Sequence, residues 1–151
     1  GYVLCFYEKF FQRDFSQVDW AKVKAHRPTI EQREERVLDA YGRRVGQQIL
    51  AEPGNELISW EEQKRRVEAL HRNMDEIRSS LTFLPSTADV HALYDRLGAP
   101  KKAEEIGIDQ ALLRSALLYA KDYRDRYSVF HAAAELGILE ELVEEVIEAM
   151  A

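Results

Sequence analysis

The sequence predicts an all-α domain, a bundle of about seven or eight helices. Apolar residues recur every three to four positions along most of the chain, the spacing that lines one face of a helix. Helix-capping side chains and Gly or Pro stops follow one another at helix-length intervals. No run alternates apolar and polar residues as a half-buried strand would, and 7 Gly with 4 Pro are too few for a turn-rich β-sandwich.

Residues 2–13 form the first helix, carrying Tyr2, Phe6, Tyr7, Phe10 and Phe11. Phe15 to Asp19 is a turn, and Val18 to His26 a short second helix. Thr29 and Gln32 have capping-box spacing, in which each side chain satisfies a free backbone donor of the other's end. They open a long helix with the stripe Ile30, Val37, Leu38, Tyr41, Val45, Ile49. Gly42 and Gly46 lie within it, four residues apart on one face, which predicts another helix packing closely there. Pro53-Gly54-Asn55 is a break. Ser59 with Glu62 is a second capping box, opening a helix with Trp60, Val67, Leu70, Met74, Ile77 and Leu81 on its inner face. Pro85-Ser86 starts the next, with Val90, Leu93, Tyr94 and Leu97 inward, and Gly98 with Pro100 stops it. A connector over 104–108 leads to Asp109, which caps a helix carrying Leu112, Leu113, Ala116, Leu117 and Ala120. A short helix runs from Ser128 to Leu136 and stops at Gly137; a last one carries Leu139, Leu142, Val143, Val146, Ile147 and Met150.

At 151 residues the chain fits a single domain, able to bury roughly 70% of its unfolded surface without a disulfide or metal staple. Its net charge of −6 argues against a nucleic-acid surface and a polybasic membrane anchor, so neither is expected among its partners. No apolar stretch has the length of a membrane span, and Glu8 and Lys9 cut short the only signal-like start. Cys5 is the single cysteine, which suits a reducing cytosol; the expected location is cytoplasmic. It lies in the apolar run Val3 to Phe6 and reads as a buried thiol rather than a reactive one. The chain opens at full hydrophobic density with no capping residue before Tyr2, so Gly1 reads as a cut end within something longer; the competing reading is a tag remnant.

No catalytic constellation is legible. His26, His71, His91 and His131 lack the spacing that puts two ligands on one helical face, so no metal ligand is assigned. No glycine-rich phosphate loop and no nucleophile motif occur, so no catalytic or cofactor-binding residue is assigned. Glu61 and Arg65, and Glu62 and Arg66, stand four apart and read as intrahelical pairs. From residue 127 onward there are six acids and no Lys or Arg, which reads as a solvated face. The densest polar segment is Tyr119 to Ser128. Asp122 and Arg126 can pair there, leaving Lys121, Arg124 and the tyrosines free. That segment reads either as a salt-bridged helix end or as a site for a phosphorylated ligand, since Arg offers oxyanions a planar donor fork.

Five blocks carry a resemblance: Arg96-Leu97-Gly98-Ala99-Pro100, Glu105-Ile106-Gly107-Ile108, Leu117-Leu118-Tyr119-Ala120, Arg124-Asp125-Arg126-Tyr127-Ser128-Val129 and Ala134-Glu135-Leu136-Gly137-Ile138-Leu139. In order and spacing they resemble the C-terminal tail of sn-glycerol-1-phosphate dehydrogenase-type enzymes. Arg27-Pro28-Thr29 and the aromatic start also resemble the helical region that follows that family's metal site. The resemblance implies the C-terminal helical domain of the iron-alcohol-dehydrogenase and dehydroquinate-synthase superfamily. It further implies a parent oxidoreductase that reduces dihydroxyacetone phosphate with NAD(P)H at a divalent metal, zinc or nickel. There the metal would polarise the carbonyl and the cofactor supply hydride. The cofactor-binding glycines and the metal motifs have no counterpart in this chain, which is therefore expected to be inactive alone and to partner a missing N-terminal nucleotide-binding domain. Arg124, Arg126 and Tyr127 are the substrate-binding candidates that the resemblance supports. The alternative is a stand-alone helical interaction or oligomerisation module, docking through Tyr2, Phe6, Tyr7, Phe10 and Phe11.

Overall fold

The computed structural model describes residues 1–123 and 126–151. Among them are eight α-helices: α1 (Tyr2–Phe11), α2 (Trp20–Ala25), α3 (Ile30–Leu50), α4 (Trp60–Ser80), α5 (Thr87–Leu97), α6 (Gln110–Tyr119), α7 (Val129–Glu135) and α8 (Leu139–Ala149). Two 3-10 turns, Ala103–Ile106 and Ala120–Tyr123, flank α6, and the described residues contain no strand. None of the helices is long and apolar enough to cross a membrane.

The helix starts lie where capping chemistry puts them. The Thr29 hydroxyl accepts from the Gln32 amide, and the Gln32 side chain accepts in return from the Thr29 amide. Ser86 and Asp89 make a second reciprocal box. Asp19 and Asp109 each accept a third-residue amide. Ser59 does the same for Glu62, but the reciprocal half is missing, because the Glu62 carboxylate is turned to Arg65 and Arg66. Arg65 thus pairs with Glu62 rather than with Glu61. Gly98 closes α5 in the left-handed conformation.

The core forms around α8. Leu142, Val143 and Val146 are fully enclosed by α1, α6 and α7. The aromatic face of α1 is part of that core: Phe6 and Phe10 are 0% and 2% exposed, and Phe6 stacks on Phe130 of α7. Of the expected docking surface on α1, Tyr2, Tyr7 and Phe11 are thus half-buried at the domain's edge, while Phe6 and Phe10 are inner wall of this same domain. Cys5 is buried beside them, and burial raises its thiol pKa.

Two expected faces differ. The first concerns α3, where Gly42 adopts φ 74° and ψ 159°, so the chain bends and residues 30–41 and 43–50 form separate arms. A Cβ on Gly42 would meet nothing within 4 Å, and the atoms nearest to one on Gly46 are not from another helix. Instead the backbone of Leu38, on the preceding arm, lies 3.0 Å from where a Cβ on Gly46 would stand. Of the predicted stripe, Val37 and Ile49 are buried, whereas Ile30, at the start of the first arm, and Val45, on the second, are exposed. On α5, Leu93 and Leu97 face solvent, Leu97 at 70% exposure. This helix packs mainly on α1, through the side that holds Thr87, Val90, His91 and Tyr94.

Candidate functional site

A cleft of about 580 Å³ opens between the α2–α3 corner, the loop over 51–58, α4 and the segment leading into α7. Four guanidinium groups reach its wall: Arg27 from the α2–α3 corner, Arg33 and Arg36 from α3, and Arg66 from α4.

Arg27 sits between the end of α2 and Pro28, at a corner too tight to continue either helix. Its guanidinium is half-buried and donates to the Gln63 side-chain oxygen and the Ile58 carbonyl. Both acceptors are neutral, and among the described residues no carboxylate reaches it. Gln63 is itself buried, and its amide donates to the Glu135 carbonyl at 2.9 Å, fixing its orientation. Arg33 donates to the Asn55 carbonyl and lies 3.8 Å from Asp122. Asp122 is buried and is also held by Lys121 at 2.7 Å.

The inner wall is a second cluster. The Arg66 Nε donates to Glu62 at 2.9 Å, and its Nη1 donates to Glu135 at 3.2 Å. The Tyr127 hydroxyl donates to the other Glu135 oxygen at 2.9 Å. Arg66 lies 5.5 Å from the Tyr127 ring centroid, close enough for a cation–π contact, and His131 stacks on the same ring at 5.6 Å. The Ser128 hydroxyl meets the His131 Nδ1 at 3.0 Å. Tyr127 is 50% exposed as a residue, but its hydroxyl end is turned inward against Glu135. That burial, with the Glu135 charge beside it, raises the phenol pKa far above its usual value. Burial also raises the Glu135 carboxyl; the hydrogen bond from Tyr127 and the charge of Arg66 only partly oppose it.

The sequence-derived candidates fare unequally. Tyr127 lines the cleft. Arg126 is exposed and outside the cleft's described lining, and Arg124 lies outside the described residues. The expected Asp122–Arg126 pair is replaced, because residues 120–123 form a 3-10 turn and the α-helical four-residue spacing is lost. Asp122 turns to Arg33 and Lys121, so Lys121 is not a free cation either. Arg27, Gln63, Arg66 and Glu135 were not expected in the site. Two of the four, Arg27 and Gln63, carry a signal in the sequence. Arg27 has no acid within three residues on either side, and Gln63 interrupts the apolar series Val67, Leu70, Met74 at helical spacing.

His26 and His131 both border the cleft, whereas His71 bonds the Phe15 carbonyl at 2.8 Å, away from it. Among the described residues no three His, Cys, Asp or Glu side chains come together as a metal site. The cleft is partly enclosed, and its wall carries Arg27, Arg33, Arg36, Arg66 and Lys121 together with Glu56, Asp122, Glu135 and Glu140. No known protein family, curated protein or solved structure matches this chain.

Proposed function

We propose that this chain is the C-terminal, substrate-side helical domain of a glycerol-1-phosphate dehydrogenase-like NAD(P)-dependent oxidoreductase, and that its cleft receives the phosphate end of dihydroxyacetone phosphate. The observation that carries the reading is Arg27. Its guanidinium is half-buried, oriented by two neutral acceptors and uncompensated by any described carboxylate. A phosphate entering the cleft meets a planar donor fork in surroundings less polar than water, where such a charge-assisted hydrogen bond counts for more. The dihydroxyacetone moiety carries no charge, so the phosphate supplies most of the recognition. Metal and nucleotide belong, in this reading, to the remainder of the parent enzyme. The described residues of this chain bring no metal-ligand set together, and no catalytic step is assigned to them.

The test is calorimetric titration of the chain with dihydroxyacetone phosphate and, separately, with dihydroxyacetone. The phosphorylated compound is expected to bind and the neutral one not to. Arg27→Gln is expected to weaken binding by about tenfold or more, the effect of one charge-assisted hydrogen bond. Circular dichroism of the variant confirms that its helices remain. Equal binding of both compounds, or binding indifferent to Arg27→Gln, would overturn the reading. The chain alone, given NAD(P)H with zinc or nickel, is expected to leave dihydroxyacetone phosphate unreduced.

A further inference from the structure

The cleft contains an anion of its own. Glu135 presents one carboxylate oxygen to Arg66 and the other to the Tyr127 hydroxyl, the two-donor arrangement that a ligand oxyanion would want. Arg66 is consequently neutralised twice, by Glu62 and by Glu135, while Arg27 is met only by neutral acceptors.

We propose that Glu135 is an internal stand-in for the ligand, an autoinhibitory carboxylate that occupies the Arg66–Tyr127 donor pair until a bound oxyanion displaces it. The proposal rests on the reading of the cleft as a phosphate receptor. Three features suit Glu135 to the role. Glu62 holds the Arg66 Nε independently, so release of Glu135 frees one edge of the guanidinium without setting the side chain loose. The Tyr127 phenol stays protonated, so it remains a donor to whichever anion is present. Glu135 is the last residue of α7, where the chain leaves the helix, so its carboxylate can withdraw without unwinding an interior turn.

Acidification should mimic displacement. Burial raises the Glu135 carboxyl, so it takes up a proton in milder acid than an ordinary glutamate, and a neutral carboxyl no longer cancels the Arg66 charge. Other titratable and charged groups face the same space. Arg66 and Glu62 come from α4, Tyr127 and His131 from the segment entering α7 and from α7 itself, and Arg27 lies beyond Gln63. Arg33, Glu56, Lys121 and Asp122 line the rest of the cleft, and Arg36 and Glu140 pair across it at 3.9 Å. His26 and His131 also border the cleft. They are present in wild type and in a Glu135 variant alike, so the carboxylate is read from the difference between the two pH profiles.

The probe is sulfate, whose charge is constant from mildly alkaline to mildly acid buffer. Its affinity is measured by calorimetry for the wild-type chain, Glu135→Gln and Glu135→Asp. In alkaline buffer Glu135→Gln is expected to bind sulfate about tenfold more tightly than wild type, and the gap is expected to close as the buffer is acidified. Glu135→Asp keeps the charge but is one methylene too short to reach both donors, so it should fall between them; it also serves should the glutamine variant fail to fold. Adding Tyr127→Phe to Glu135→Gln should remove part of the gain. Equal affinities with parallel pH profiles would overturn the stand-in while leaving the cleft reading intact. A gain indifferent to Tyr127→Phe would overturn the assignment of the donor pair. Failure of every form to bind sulfate would overturn the cleft reading itself, and the stand-in with it.

Discussion

Asn55 shows how a single buried amide assembles the site's outer wall. It is 8% exposed, and its Nδ2 donates to the Ile49 carbonyl at 3.0 Å and to the Asp122 carbonyl at 2.7 Å. Its own backbone carbonyl accepts from Arg33. One residue thus ties the loop over 51–58 to the end of α3, to the 3-10 turn after α6 and to an arginine of the cleft. Removing the amide takes the donor from the Asp122 carbonyl and one of the donors from the Ile49 carbonyl, which keeps the Glu52 amide at 3.3 Å, and a carbonyl left bare where water cannot reach costs about 1–3 kcal/mol. Asn55→Ala is therefore expected to lower the unfolding free energy by about 2 kcal/mol, read from the urea midpoint at unchanged slope. Asn55→Asp, though nearly isosteric, should cost at least as much, because a carboxylate oxygen would then face two carbonyl oxygens. An aspartate variant as stable as wild type would show that the amide donors do not hold the loop.

At the scale of the element, α3 makes the sharpest demand on its sequence. Gly42 at φ 74° and ψ 159° occupies a backbone region that is essentially restricted to glycine. A Cβ there would meet nothing within 4 Å, so the cost of a side chain is conformational rather than steric. Gly46 is the opposite case, with no unusual torsion but with Leu38 and Val37 against the missing Cβ at 3.0 to 3.2 Å. The sign of one substitution separates a bent α3 from a straight one. In a straight helix Gly42→Ala would stabilise by up to about 1 kcal/mol; in the bent one it should destabilise by about 1–3 kcal/mol. A thermal melt followed by circular dichroism decides, and a raised midpoint would refute the bend. The same helix marks the limit of reading the sequence alone. Thr29, Ser59, Ser86 and Asp109 announced their helices because capping is settled within three residues. Gly42 did not announce a bend, because a glycine inside a periodic stripe serves close packing and a break equally well, and only tertiary contacts choose. The cleft was less legible still. Tyr127 stood in a conspicuous polar segment, but Arg27, Gln63, Arg66 and Glu135 are brought together from separate places in the chain, and no local pattern encodes that meeting.

In the whole molecule, charge and burial divide the work of holding α8 in place. The acids after residue 127 are not simply a solvated face. Glu141 pairs with Arg13 at 2.8 Å and Lys22 at 2.5 Å, Glu145 with Arg13, Glu144 with Arg114, Glu140 with Arg36 at 3.9 Å, and Glu135 with Arg66 at 3.2 Å. The partners come from α3, α4 and α6, from α2, and from the end of α1, so the acidic C-terminal helices meet a basic residue on nearly every neighbour. This arrangement disfavours wrong orientations of α8, since turning it would set like charges together or leave these arginines unpaired. Its contribution to net stability is small, however, because the pairs are mostly solvent-accessible and each is worth about 0–1 kcal/mol. Apolar burial contributes more. Leu142 is fully buried between α1, α6 and α7, and truncating it to alanine deletes its packing and leaves a cavity, at about 2–5 kcal/mol. Leu142→Ala is thus expected to shift the denaturation midpoint well beyond any shift from Glu144→Gln, which should stay within about 1 kcal/mol and shrink further in high salt. If Glu144→Gln proved the more damaging of the two, the ion pairs rather than the core would be what fastens α8 to the bundle.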